Sequence, residues 1–456
     1  MSKKIFGDIL QKFVDKSPVT VMVQGLLEYL LNEDRLNEWF DKNSGVQYTR
    51  NLLFSSVVAV MLEVVCQIKK NINSAYRKAE HINVSLTSLY NKINGTEPST
   101  SAALVRHIAA ESSDLIKEMK SEIPAWLPGY QTKLLDGNCI GSVEHRIKSL
   151  RSIKSAALPG KSLVVFDPQT ELAADVFPCE DGHAQERLLL DNVLKTVRKN
   201  DCWVADRNFC TQNFLFGINK KKAVFVIRRH RLLPVENCSE EKFAGENRSG
   251  KIYERKIRLK SSNDEIYTAR LITVKLNKRT RNNESEIHVI SNIPEETADA
   301  LTVAEIYKKR WGIETAFQRL EAHFNGEISS LGYPKAALFG FCTALVAFNI
   351  YAVIMASLRS VHPDAIINDE VSEYYIAQDI SAVYEGMIIA VDYREWNIFR
   401  NISCTEMTVL LMLLAKQINL RHFKKNRRGA KKEKPIVKFD KNTPHVSVFK
   451  LLLNST

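Results

Sequence analysis

The chain has 456 residues, a net charge of +12, 45% hydrophobic and 25% charged residues, which is typical of a globular protein of two to four domains or of one domain with a large insertion. The eight cysteines include no CxxC pair, which argues against a disulfide framework or a zinc site and favours reduced cytosolic thiols. The start, MSKKIFGDILQKF, has charges where a signal peptide needs an apolar stretch, so we expect a cytoplasmic protein.

The first part of the chain, residues 1–125, predicts a helical domain, because its apolar runs lack strand alternation. Within it, residues 71–96 predict two short helices with a tight break, the second capped by Ser85. A DNA-reading helix-turn-helix has this layout, and so does an ordinary pair of antiparallel helices, so both interpretations stay open.

From about residue 130 the pattern becomes strand, strand, strand, helix, strand, which predicts an α/β core. Three of these strands end in an acid, at Asp136, Asp167 and Asp206. In such domains functional groups gather at the carboxyl ends of the strands. The three acids are therefore candidate site residues.

Two segments carry the positive charge. Residues 220–281, within a β-rich block predicted over 216–298, hold 18 Lys and Arg against 7 Asp and Glu, and residues 421–435 hold 8 against 1. Basic clusters of this kind are typical of a protein that binds a phosphate backbone. The alternative is a solvated surface with a disordered tail.

After the β-rich block we predict one long helix that starts with a capping box of Thr302 and Glu305. Tyr307, Arg310 and Glu314 fall on one face of it, beside an apolar stripe and thus at the border of the core. We expect Trp311 to pack beneath that face.

Residues 337–358 contain no charge and are long enough to cross a membrane, but polar residues dilute the run and no second span exists. We therefore predict a helix buried in the core, followed by a helical C-terminal region over 361–456 that ends in the basic tail.

Two strands and one helix supply a set of three carboxylates, those of Asp136, Asp206 and Glu314. This set could hold a pair of Mg²⁺ ions for phosphoryl transfer. Asp167 is the rival ligand. Taken singly, each strand-end Asp is more often a turn or cap residue. What favours the set is its combination with a basic surface and an Arg/Tyr pair.

The stretches LLDGN (134–138), ADRNF (205–209) and YKKRWGIE (307–314) resemble the three acidic motifs of DDE transposases, in particular the bacterial cut-and-paste insertion-sequence group with the Y-x2-R-x3-E-x6-K signature. The resemblance spans about 130–325. It implies a ribonuclease-H-like core over 126–215 and 299–360, interrupted by the β-rich insertion over 216–298. It also implies binding of transposon ends, strand cleavage and strand transfer, with Asp136, Asp206 and Glu314 as catalytic residues that bind two Mg²⁺ ions, Mn²⁺ being accepted.

The same resemblance implies contacts to DNA from Tyr307, Arg310, Arg207 and Asn208. It also implies a homodimer that holds two DNA ends, works at the nucleoid and binds no membrane. The chain departs from the signature at Glu321, where a lysine is expected, and Arg319 is two positions away. The insertion has no Trp, so base stacking falls to Tyr253, Tyr267, Phe225 or another aromatic residue. An impaired or domesticated transposase that only binds DNA, and a nuclease of the same fold, are the alternatives.

Overall fold

The computed structural model describes residues 5–45, 51–79, 82–261, 264–280, 283–363, 366–367, 370–426 and 446–454. Its α-helices are α1 (Asp8–Lys16), α2 (Pro18–Leu30), α3 (Glu33–Asn43), α4 (Phe54–Val65), α5 (Ile72–Lys78), α6 (Leu86–Gly95), α7 (Pro98–Glu118), α8 (Leu190–Thr196), α9 (Gln212–Lys220), α10 (Ala300–Lys309), α11 (Gly312–His323), α12 (Pro334–Val361), α13 (Glu373–Ala390), α14 (Cys404–Lys416) and α15 (Val448–Leu453).

The strands are β1 (Gln131–Cys139), β2 (Ala157–Leu158), β3 (Lys161–Asp167), β4 (Leu172–Cys179), β5 (Asp201–Ala205), β6 (Val224–Arg228), β7 (Glu236–Asn237), β8 (Lys242–Asn247), β9 (Gly250–Lys260), β10 (Ile266–Leu276), β11 (Glu286–Ser291) and β12 (Val446–Ser447).

One large mixed sheet has the strand order β4-β3-β1-β5-β6-β11-β10-β9-β7, with β8 paired to β9, and β2 pairs with β12 separately. β1, β5 and β6 run parallel in its centre, and β3 runs antiparallel between β1 and β4. The mixed α/β core that the sequence predicts is therefore present. β6 belongs to the parallel centre, and the sheet continues beyond it through β11, β10 and β9.

The sheet separates two apolar layers. Successive side chains of a strand point to opposite faces, so Leu134 joins the large core under α7 and α12, and Leu135 joins the smaller core under α8 and α9. The central strands of the sheet are thus covered by helices on both faces.

Helix α12 is buried along its apolar length, as predicted for a core helix. Among the described residues it is the one helix that is long and apolar enough to cross a membrane unbroken. Its buried Asn349 accepts a hydrogen bond from the backbone N of Ala173 at 2.8 Å and donates one to the carbonyl O of Ala173 at 3.0 Å. The polar residue in the apolar run therefore ties α12 to β4.

The N-terminal helices share one core with α12 and the C-terminal helices. Tyr384 on α13 donates a hydrogen bond to Gln24 on α2 at 2.8 Å, and Ser17 donates one to Asp379 at 2.6 Å. The predicted helical segment over 1–125 thus contains helices, yet they do not pack as a separate body. How the chain divides into domains stays a prediction.

The predicted helix pair over 71–96 is present as α5 and α6. Ser85 caps α6 by accepting a hydrogen bond from the backbone N of Ser88 at 3.1 Å. Residues 80–81 of its break, and residues 427–435 of the basic tail, lie outside the described residues.

Candidate active site

Asp136 and Asp206 lie side by side because of the strand register. β1 and β5 are parallel, and Leu135 pairs with Ala205. The next residue of each chain segment is the acid: Asp136 continues within β1, whereas Asp206 follows β5 and precedes a single 3-10 turn, Arg207–Phe209. The register thus delivers the two carboxylates to one end of the parallel strands.

The third acid, Glu314, lies near the start of a helix. The predicted long helix is in fact two helices, because α10 ends at Lys309 and α11 begins at Gly312. The N-cap of α10 is Asp299, whose carboxylate accepts a hydrogen bond from the backbone N of Thr302 at 2.8 Å. The prediction that Thr302 caps this helix was therefore wrong. Glu314 stands in the first turn of α11 with 48% of its side chain exposed.

Arg310, in the break between these helices, connects the acids. Its Nη1 donates to Asp136 Oδ2 at 3.1 Å and its Nη2 donates to Glu314 Oε1 at 2.9 Å. Tyr307 lies 3.5 Å from Asp206 through its hydroxyl, and its ring centre is 6.0 Å from the Arg310 guanidinium. Arg310 and Tyr307 are buried, deeper than the core-border position that the sequence predicts.

The electrostatics of this group show that negative charge is crowded. The pKa of Asp136 is raised to about 6, chiefly by burial and to a lesser extent by the carboxylates of Asp206 and Glu314, although Arg310 and the backbone N of Gly137 lower it. Burial also raises the pKa of Tyr307 to about 12, so its hydroxyl is a neutral donor at ordinary pH. Additional positive charge among these carboxylates would therefore be stabilising.

Three carboxylates are a donor set of the type that Mg²⁺ prefers, so the chemistry of the residues fits a divalent ion. Among the described residues, however, no three His, Cys, Asp or Glu side chains converge closely enough to hold a metal ion. The Arg310 guanidinium accounts for the spacing, since it occupies the space between Asp136 and Glu314. The guanidinium thus supplies positive charge between these two carboxylates.

The two residues after Asp206 differ in their surroundings. Arg207 is exposed, and its Nη1 donates to Glu284 at 3.2 Å. Asn208 is half-buried, and its side-chain amide donates to Glu186 at 2.5 Å. Arg207 is thus positioned to meet a ligand, whereas Asn208 is engaged with the protein.

Two charged residues near the acids were missed from the sequence. Arg228 ends β6 next to Asp206, and the rule that places functional groups at the carboxyl ends of strands would have found it. Glu186 approaches Gly137 so closely that a Cβ there would lie 2.2 Å from its Oε1. No sequence signal marks this contact, which joins residues far apart in the chain.

Asp167 is excluded as a ligand of this site by strand direction. β3 is antiparallel to β1, so its carboxyl end lies at the opposite end of the sheet. There Asp167 accepts from Lys133 at 3.1 Å and from Gln131 at 2.9 Å. Its role is to pair with the amino end of β1.

Glu321, at the departure from the signature, faces a cleft of about 730 Å³ between α11, the end of β1 and the turn after α4. Lys70 and Asn138 line the same cleft. Arg319 cannot serve there, because its guanidinium donates to Glu171 at 3.0 Å and pairs with Glu373 at 3.1 Å. Lys69 also lines the cleft but pairs with Glu385 at 2.5 Å, whereas Lys70 is exposed. Lys70 is therefore the candidate cation near the position of the expected lysine.

The aromatic predictions change in two places. Trp311 is 65% exposed and does not pack beneath the site. Phe225 is fully buried, and Tyr267 packs edge-on against Phe216, which leaves Tyr253 of the three stacking candidates. The ring of Tyr253 contacts the exposed Phe243 and lies 4.4 Å from Lys275 Nζ.

Comparison with known proteins bears on the family of the chain. No curated protein matches the chain. Residues 155–350 match the family model described as the transposase DDE domain, a span that includes Asp206 and Glu314 and begins after Asp136. The match supports a DDE transposase family, and with it a DNA-cutting and joining enzyme.

Proposed function

We propose that the protein is a DNA transposase that binds the ends of a mobile element and carries out metal-dependent strand cleavage and strand transfer. The observation that carries the proposal is the gathering of Asp136, Asp206 and Glu314 around Arg310 and Tyr307 at the end of parallel strands. A ribonuclease-H-like core is part of the proposal, supported by the α/β sheet with its three central parallel strands.

Asp136, Asp206 and Glu314 would hold the divalent ions, Mg²⁺ or Mn²⁺. Two bound ions supply activation of the attacking oxygen and charge stabilisation of the leaving oxygen in phosphoryl transfer. Arg310 offsets the charges of Asp136 and Glu314 beforehand by pairing with both. When ions and DNA bind, the guanidinium is free to turn from the carboxylates to a phosphate, for which its planar fork is suited.

The remaining side chains would orient the DNA strand. The neutral Tyr307 hydroxyl donates a hydrogen bond to a phosphate or to Asp206. Arg207 and Arg228 stand on the other side of Asp206 and meet the neighbouring phosphates. Asn208 acts through Glu186, which it holds beside Gly137, and so supports the strand end that carries Asp136.

The rest of the chain would grip DNA outside the active site. The helix pair α5 and α6 reads sequence, and the basic strands β8 to β10 follow the backbone. Two copies would act together, each holding one end. Lys70 would contact the strand where Glu321 stands in place of a lysine.

The test is cleavage of a labelled duplex that carries the inverted repeats flanking the coding region, with Mg²⁺ present. We expect the wild type to cut and Asp136→Asn and Glu314→Gln to bind but not cut, with Asp191→Asn, an exposed acid on α8, cutting normally. Cleavage by the two site variants at the rate of the wild type would refute the proposal. Binding without cleavage by the wild type identifies an impaired transposase, and cleavage without transfer into a plasmid identifies a nuclease.

A further inference from the structure

Two arginines flank Asp206 on the side away from Arg310. Arg207 follows Asp206 directly, and Arg228 ends the next strand at the same level, because Ala205 pairs with Ile227 in the parallel register of β5 and β6. The Arg228 side chain is 17% exposed and that of Arg207 is 46% exposed. Two guanidiniums therefore border one edge of the candidate active site.

A single carboxylate oxygen holds both of them. Oε1 of Glu284 accepts from Arg228 Nη2 at 2.6 Å and from Arg207 Nη1 at 3.2 Å. Thr280 fixes this carboxylate, since its hydroxyl donates to Oε2 at 3.3 Å and accepts from the backbone N of Glu284 at 3.2 Å. The hydrogen bond from Arg228 lowers the pKa of Glu284, which keeps the carboxylate charged.

An anion shared by two guanidiniums is the arrangement in which arginine binds phosphate. Glu284 serves both arginines with one oxygen, whereas a phosphodiester has two non-bridging oxygens and can give one to each. The carboxylate is also partly exposed, so it can leave for water without a large desolvation cost. A phosphodiester is thus the better partner for the same pair.

We propose that Glu284 occupies a phosphate subsite formed by Arg207 and Arg228, and that a DNA phosphodiester beside Asp206 must displace it. Glu284 is then an internal competitor that sets how tightly DNA binds. The proposal rests on the proposed function, because it assumes that DNA is the ligand of this face. A purely structural ion pair would leave DNA affinity unchanged.

The test compares Glu284→Gln with the wild type in fluorescence anisotropy titrations of a labelled duplex, without divalent ions so that no cleavage occurs. We expect binding about five- to tenfold tighter, because the competing charge is removed while the side-chain shape is kept. Glu286→Gln removes the same charge two residues away, where the carboxylate faces His288 and neither arginine. It is expected to change affinity less than about twofold.

Two further variants make the result specific. In an Arg228→Met background, Glu284→Gln should tighten binding by less than about threefold, because only Arg207, whose contact with Glu284 is the longer one, remains to be released. Thr280→Val leaves the charge in place but frees the carboxylate, and should tighten binding in the same direction by a smaller factor. It also keeps the test decisive if Glu284→Gln fails to fold.

The outcomes separate this inference from the proposed function. If the wild type binds DNA and Glu284→Gln binds no more tightly, or no more tightly than Glu286→Gln, the inference is overturned and the proposed function stands. A gain that keeps its full size of about five- to tenfold in the Arg228→Met background also overturns it. If neither the wild type nor any variant binds DNA, both are overturned.

Discussion

Glu171 joins the helix that carries Glu314 to the central helix of the core. It lies in the turn between β3 and β4 and accepts from Arg319 on α11 at 3.0 Å and from Arg359 on α12 at 2.6 Å. Arg359 is nearly inaccessible, with 2% of its side chain exposed, and its Nε and Nη2 have no hydrogen-bond partner among the described residues. The Arg359 charge therefore depends on Glu171.

Replacing Glu171 by Gln should lower the free energy of unfolding by about 3 kcal/mol, because breaking a buried pair by neutralising one partner leaves an uncompensated charge. Glu236→Gln is the matched control. Glu236 pairs with Arg258 at 3.0 Å, but 65% of its side chain is exposed. Its loss should cost less than about 1 kcal/mol. Urea denaturation followed by tryptophan fluorescence measures both.

The difference in the free energy of unfolding between the wild type and Glu171→Gln should also depend on pH. Burial raises the pKa of Glu171, but Arg359 and Arg319 outweigh it and hold the pKa below its usual range. The stabilisation is therefore complete above the unfolded-state pKa of about 4.3 and declines as the pH falls through the lower folded-state value. Equal costs for Glu171→Gln and Glu236→Gln, or a difference that grows in acid, would refute the reasoning.

Three further changes test the surroundings of the site. Gly137→Ala should displace the Glu186 carboxylate, since the new Cβ would lie 2.2 Å from Oε1, and should reduce cleavage at least about tenfold while duplex binding, measured by anisotropy, changes little. Lys70→Ala should reduce the slope of log affinity against log salt by about 0.9, the value for one lost phosphate contact. Trp311→Ala should weaken binding of unpaired DNA ends by about 1–3 kcal/mol through lost stacking, without changing the melting temperature. Tyr393 is equally exposed in the C-terminal region, and Tyr393→Ala should change neither DNA binding nor the melting temperature.

The sequence predicts the acids of the parallel strands well because their position depends on few facts. A short apolar run that ends in Asp is visible in the sequence at both places, and β1 and β5 turn out to be neighbours, so Asp136 and Asp206 meet. The same rule fails for Asp167, because no local pattern reveals that β3 runs antiparallel. Strand direction is decided by the connections and the shared core.

Other features depend on contacts between distant segments. The pairing of Glu284 with Arg207 and Arg228 joins a turn to two strand ends, and no spacing rule predicts it. The exposure of Trp311 follows from the break between α10 and α11, which interrupts a pattern that satisfies one helix throughout. Periodicity identified the segment as helical, but it does not reveal that the axis changes within it.

The sharing of one core by the first and last helices has a consequence for synthesis. Ser17 and Asp379, which are hydrogen-bonded, are 362 residues apart, a distance that a ribosome covers in roughly 20 to 70 seconds. During that interval the apolar side of α2 has none of its C-terminal partners. A chain released before α13 is made would leave its earliest helices permanently uncovered, so premature termination should yield aggregates and not a working DNA-binding fragment.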